Sequence, residues 1–296
     1  MTAQPQPGVP LVPGAASKGF LPLIRRHPVP AYYVLAFFIS WGGMAAILNV
    51  GHISATWAAV ALPVGPAASC IFLTRLVYGQ QGLHRLRSRL RQWRVGARWY
   101  VVALLTGPAV MAATAAAVSS MFPGYYAGSP TAGGTVAIVL GGIMVGLMVG
   151  ILEELGWTGF ALPLIRGRYG ILSTGLIMAL LWGTWHYPMF AGSTDPSGAV
   201  PAVLIVAVFL FAWLPPFRVL MVWVYDQTGS LPLAMLMHAP LSAGAFINSF
   251  MASGQATGTA ILMPALMWGV SFWAIVGVVF LILSRQKAGV QDRGGV

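Results

Sequence analysis

Apolar stretches about 20 residues long recur along most of the chain, separated by short loops rich in Gly, Pro and Arg. A helix needs about that length to cross a ~30 Å hydrocarbon core. The pattern predicts spans at 31–49, 54–78, 99–121, 134–157, 171–190, 200–224, 231–250 and 261–283. It lacks the alternating segments of about ten residues that build a membrane β-barrel. The expected fold is all-α, a polytopic transmembrane helical bundle of about eight spans. Residues 1–28 read as a disordered cytoplasmic tail, 29–285 as the membrane domain, and 286–296 as a cytoplasmic C-terminal tail.

Composition sharpens this picture. Of 296 residues, 58% are hydrophobic and 7% charged, against about 25% charged in a soluble domain. Sixteen basic residues face five acidic ones, giving a formal charge of +11. With eight spans every basic residue falls on one side: Arg75 at the end of span two, the run Arg85, Arg87, Arg89, Arg91, Arg94 and Arg98 between spans two and three, Arg166 and Arg168 between four and five, Arg218 near the end of span six, and the rest near the termini. The positive-inside rule then places both termini in the cytoplasm. The arginine run reads as a topology signal and a surface for anionic lipid headgroups, with no nucleic acid as partner. The single cysteine, Cys70, excludes an internal disulfide. Abundant Arg, Ala and Gly point to a bacterial source, hence a multi-pass protein of the bacterial inner (plasma) membrane.

Ionisable side chains inside a membrane cost at least ~2.5–3.5 kcal/mol each near the centre and default to functional roles. Glu153 and Glu154 close span four, His186 lies in span five and His238 in span seven. Asp195, Asp226 and Asp292 fall in loops or the tail, and His27, His52 and His84 in loops or at interfaces. At about 100° per residue, Gly142, Gly146 and Gly150 form a ridge near 0°, 40° and 80°, which permits close approach of another helix. Glu153 falls near 20°, inside that arc, and Glu154 near 120°, beyond its edge, so Glu153 is the expected base and Glu154 its flanking support. Two carboxyls this close are expected to titrate as a coupled pair. A carboxylate with two imidazoles can activate water and stabilise an oxyanion. The same set, Glu153, His186 and His238, could also hold a divalent metal such as zinc.

The run Glu153-Glu154-Leu-Gly-Trp157-Thr158-Gly159-Phe160-Ala-Leu-Pro163 resembles the first motif of the CPBP family of intramembrane proteases. That family includes the type II CAAX prenyl endopeptidases and Abi-type bacteriocin-immunity relatives. Trp182-Gly-Thr-Trp185-His186-Tyr-Pro188 resembles its second motif, and Thr228-Gly-Ser230-Leu-Pro232 leading to His238-Ala-Pro-Leu-Ser242 its third, so the protease-like core covers about 134–250. The resemblance implies that Glu153 activates water with help from His186, while His238 and Ser242 stabilise the oxyanion. It implies a membrane-associated peptide or protein substrate, met in the lipid bilayer. Two positions depart from the pattern. Thr158 stands where Glu-Glu-x-x-x-Arg has arginine, and Ser242 stands where the third motif has Asn or Asp. Asn248 is no substitute, being about 80° off the face of His238. Residue chemistry alone also admits a proton- or cation-coupled transporter. The two departures admit a catalytically silent immunity or scaffold relative.

Overall fold

The computed structural model describes residues 20–49, 61–126, 131–252 and 258–291. Residues 1–19 of the tail expected at 1–28, with His52, Asp292 and Arg293, lie outside these residues; Phe20–Arg26 of the same stretch is helical, not the irregular chain expected. Among the described residues every regular element is helical and there is no strand, as the length and composition of the apolar runs require.

In chain order the helices are α1 (Phe20–Arg26), α2 (Pro28–Asn49), α3 (Val64–Leu90), α4 (Ala97–Met121), α5 (Ala132–Gly156), α6 (Leu162–Arg166), α7 (Ile171–Phe190), α8 (Ala202–Phe211), α9 (Leu214–Thr228), α10 (Leu231–Met251) and α11 (Met263–Gln291). A π-helical turn, Trp157–Ala161, joins α5 to α6 without a break. Among the described residues six stretches are long and apolar enough to cross a membrane: α2, α4, Ala132–Arg166, Ala202–Thr228, α10 and Ala260–Gln286. Two of the eight expected spans fall outside that set for identifiable reasons. Span five, α7, is diluted by glycine, tryptophan and histidine. Span two is only partly described, and α3 holds its end.

Helix α3 is two helices in sequence. Gly79 has φ 61° and ψ −151°, a conformation open to glycine, and an added Cβ there would meet no atom within 4 Å. Its role is thus conformational, not one of packing. The kink separates the apolar half from a polar half carrying Arg85, Arg87 and Arg89. The arginine run expected as a loop at 85–98 is accordingly helical to Leu90, and the connection to α4 is short. Arg85, Arg87, Arg91, Arg94 and Arg98 are exposed; Arg89 turns inward and donates to Gly159 O at 2.8 Å, a carbonyl of the π turn.

Glycines set the helix spacing at the centre. A Cβ on Gly142 would stand 2.7 Å from Ile247, one on Gly150 2.7 Å from Met235 O, and one on Gly146 would clash with Ala239 O. The expected ridge therefore seats α5 directly on the backbone of α10. Similarly, a Cβ on Gly175 would lie 2.7 Å from Val219 Cα, which draws α9 against α7. Residues Thr228–Pro232 form the sharp joint between α9 and α10. Gly229 ends α9 at φ 62°, Ser230 caps α10 by accepting from Leu233 N at 3.1 Å, and Pro232 sits in its first turn. Each is the residue type such a helix stop and start demands. Helices α5, α7, α9 and α10 thus converge on one buried region.

Candidate active site

Both glutamates of α5 are enclosed in that region, Glu153 with 2% of its surface exposed and Glu154 with none. Enclosure of Glu154 corrects the angular expectation. The arc drawn through the glycine ridge describes only the contact with α10. Glu154 is bound from two sides, by His238 of α10 and by Arg218 of α9, and the arc does not include the second.

Glu153 is held by two indoles. Oε2 accepts from Trp157 Nε1 at 3.1 Å and from Trp182 Nε1 at 2.8 Å. Among the described residues no donor reaches Oε1, which leaves one carboxylate oxygen available to a water or substrate. The wall around it is aromatic. Tyr33 stacks on Trp157 at 5.5 Å, Tyr32 and Trp185 each meet Trp157 edge-on at 5.6 Å, and Tyr32 stacks on Phe160 at 5.1 Å. The π turn brings Trp157 and Phe160 to this wall directly after the carboxylates, the kind of irregularity that recurs at functional sites.

Glu154 gathers four polar contacts. It accepts from Thr158 Oγ1; from Arg218 Nη1 at 3.0 Å and Nη2 at 2.9 Å, in a bidentate pair; and from His238 Nδ1 at 2.8 Å. Arg218 and Thr158 are fully buried and His238 is 1% exposed. Here the structure overturns a sequence expectation. Arg218 is not a surface topology signal near the end of a span; it lies within the site, on α9. It also changes the premise of a lone coupled carboxyl pair, since a guanidinium stands against one of the two.

Trp182 links the groups. Besides binding Glu153, its ring lies 4.1 Å below the Arg218 guanidinium carbon and meets His238 edge-on at 5.1 Å and His186 at 5.3 Å. His186, one turn further along α7, is half-buried and its Nδ1 lies 2.8 Å from Trp182 O. A carbonyl only accepts, so Nδ1 carries the proton and Nε2 presents a lone pair. The same reasoning at Glu154 makes His238 Nδ1 a donor and leaves Nε2 as its outward face. Both histidines are therefore oriented by their Nδ1 atoms.

Ser242 lies one turn beyond His238 on α10, half-buried, with no hydrogen bond to the other four residues among those described. Asn248 is engaged elsewhere, accepting from Tyr126 Oη at 2.6 Å. Among the described residues no three His, Cys, Asp or Glu side chains stand close enough together to hold a metal ion. In the set Glu153, His186 and His238, each histidine turns Nδ1 to a protein acceptor and Glu153 Oε2 takes two indole N–H groups, so the atoms of this set with which a metal would bond are the two Nε2 nitrogens and Glu153 Oε1.

Two of the remaining acids, Asp226 and Asp195, are less idle than their expected loop positions imply. Asp226 lies in the last turns of α9 and pairs with Arg166 at 2.9 Å. Asp195, 7% exposed, accepts from Ser197 Oγ, Ser197 N, Val200 N and Gly258 N at 2.7–3.0 Å, tying the loop after α7 to the segment before α11. The Ser197 hydroxyl foremost, with these amides, holds its carboxyl below the usual carboxylate range.

Trp182, Trp157 and Arg218 are the site residues that sequence reasoning left out. For Arg218 a signal was present: it is the sole charge in an otherwise apolar stretch, between Pro215-Pro216 and Val219-Leu220-Met221-Val222.

Residues 134–244 match the family model described as type II CAAX prenyl endopeptidase Rce1-like. The chain is 23% identical over 94 residues to CAAX prenyl protease 2 of Methanococcus maripaludis, an alignment spanning 31% of this chain and 35% of that protein. The chain thus spans about a third of the length of this relative. The matched segment, residues 134–244, holds both carboxylates, both histidines, Trp182 and Arg218, and over that part of the chain the sequence is similar to the type II CAAX prenyl endopeptidases.

Proposed function

We propose that the chain is an intramembrane endopeptidase that hydrolyses a peptide bond of a membrane-associated substrate near the cytoplasmic face. The observation that carries this reading is the unequal use of the two Glu153 oxygens. Oε2 is fixed by two indole N–H groups and Oε1 meets no protein donor among the described residues. A carboxylate so held is rigid yet retains a basic oxygen, as water activation requires.

In this reading water bound at Oε1 loses a proton to Glu153 as its oxygen attacks the scissile carbonyl carbon. His186 Nε2, whose tautomer is set by Trp182 O, accepts a hydrogen bond from the same water. His238, polarised through Nδ1 by Glu154, turns Nε2 toward the developing oxyanion. A proton on that nitrogen, with the Ser242 hydroxyl, supplies the donors. Glu153 then returns its proton to the leaving amine. No step is routed through a metal. CAAX processing as such is a property of the matched protein's name and enters here only as the substrate class to try first.

The test is reconstitution of the purified protein in vesicles with a library of membrane-tethered peptides, prenylated and not, followed by mass spectrometry of new termini. New termini with wild type, lost in His238→Ala, support the reading. Absence of cleavage across the library, with His186→Ala and His238→Ala still complementing a host strain that needs the protein, would point to the silent scaffold instead.

A further inference from the structure

We infer that Arg218 is the positioning cation of the carboxylate pair, brought in from α9 to serve the place that Thr158 leaves without a charge. Position 158 faces Glu154 already, because the Thr158 hydroxyl donates to Glu154 Oε2. The first motif resembles Glu-Glu-x-x-x-Arg, yet this chain has a neutral residue there. The guanidinium that meets the same carboxylate comes from 64 residues further along, in bidentate geometry at 3.0 and 2.9 Å.

The fold delivers it deliberately close. Helix α8 ends at Phe211 and α9 restarts at Leu214 with prolines in its first turn, which sets Arg218 one turn into α9. Gly175 admits the α9 backbone at Val219, the next residue, to within what a Cβ would need. Two other half-buried arginines serve different partners: Arg89 the Gly159 carbonyl and Arg166 Asp226. Among the described residues Glu154 pairs with Arg218 and His238 alone.

Arg218 touches both halves of the site without facing the reacting atoms. Through Glu154 it fixes the oxygen that orients His238 Nδ1, and through the Trp182 face at 4.1 Å it fixes the indole that binds Glu153. A buried carboxylate stripped of its counter-charge is strongly destabilised, whereas removal of both partners can be nearly neutral. A planar fork also fixes orientation as a lysine ammonium would not.

The experiment compares four forms of the purified full chain in detergent or nanodiscs: wild type, Arg218→Met, Glu154→Gln/Arg218→Met, and the exchange Thr158→Arg/Arg218→Thr. Arg218→Met is expected to lower the melting temperature by on the order of 10 °C. Glu154→Gln/Arg218→Met is expected to recover most of that loss, and the exchange variant likewise. This thermal arm is independent of any activity. The kinetic arm rests on the endopeptidase reading, and is measured well below each melting temperature. There kcat should fall at least tenfold in Arg218→Met with KM unchanged, stay low when Glu154 is also replaced, and recover in the exchange variant. An Arg218→Met protein with unchanged melting temperature would overturn the inference. So would a Glu154→Gln/Arg218→Met variant no more stable than Arg218→Met, or a recovered melting temperature without recovered kcat in the exchange variant. Absence of cleavage by wild type would count against the endopeptidase reading and leave the thermal arm to decide the pairing.

Discussion

Replacing Trp182 by phenylalanine isolates what its indole N–H does for Glu153. The substitution keeps an aromatic ring beneath Arg218 and beside His238 and His186. It removes the donor 2.8 Å from Glu153 Oε2. A hydrogen bond to a charged group is worth about 1.5–3 kcal/mol, and about 1.4 kcal/mol is tenfold in rate. If the bond holds Glu153 in its working orientation, cleavage should fall by roughly 10- to 150-fold, mostly in kcat. Trp157→Phe removes the other donor, at 3.1 Å and four residues away on the same helical stretch. It should cost less, because that bond is longer and Trp182 still ties Glu153 to α7. Trp182→Ala should cost more than either in stability, since loss of a buried large side chain adds a cavity worth about 3–5 kcal/mol. The assay is peptide cleavage by purified protein in nanodiscs, with melting temperatures recorded in parallel. A Trp182→Phe variant within twofold of wild type in both measurements would refute the view that this indole positions the base.

Other consequences test separate parts of the account. Gly146→Leu places side-chain atoms into the Ala239 carbonyl of α10 and should disrupt the bundle; recovery of a monodisperse protein with wild-type melting temperature would contradict that packing. Treatment with a chelator is expected to leave cleavage unchanged, because no three-donor set converges among the described residues. Loss of activity restored by zinc would show that Glu153, His186 and His238 close around an ion at work. The depressed Asp195 carboxyl stabilises the fold at neutral pH, and that contribution should fade as pH falls below about 3.9 toward its folded value. Asp195→Asn should therefore lower the melting temperature at pH 7 and narrow the gap from wild type under acid; a gap constant with pH would contradict the assignment.

Much of the fold was legible because its determinants are local or periodic. The apolar runs gave the helices, the Gly142–Gly146–Gly150 ridge marked the face that meets α10, and Thr228–Pro232 carried a helix stop and start in its residue types. The end of the second apolar run at 78 fell beside the Gly79 kink. What escaped depends on which helices become neighbours. Angles around one axis place Glu154 relative to one partner, α10, whereas it is bound by Arg218 of α9 as well as by His238 of α10. Sorting arginines by the nearest loop put Arg218 with the topology signals, although an apolar flank on both sides argued for burial. The role of Trp182 was hidden for the same reason: an indole four residues before a histidine looks like packing until a carboxylate from another helix meets its N–H. The π turn has no evident mark in the sequence, and neither has the hydrogen bond from Arg89 to its Gly159 carbonyl.

The central claim is that Glu153 is the base. Its most direct test is the cleavage rate of Glu153→Gln, because a glutamine amide oxygen can still accept from Trp157 and Trp182 while losing the basicity of the carboxylate. The account predicts an unchanged melting temperature with cleavage reduced at least 100-fold, in line with the ~10²–10⁴-fold supplied by a positioned general base. A folded Glu153→Gln protein that cleaves as fast as wild type would contradict it.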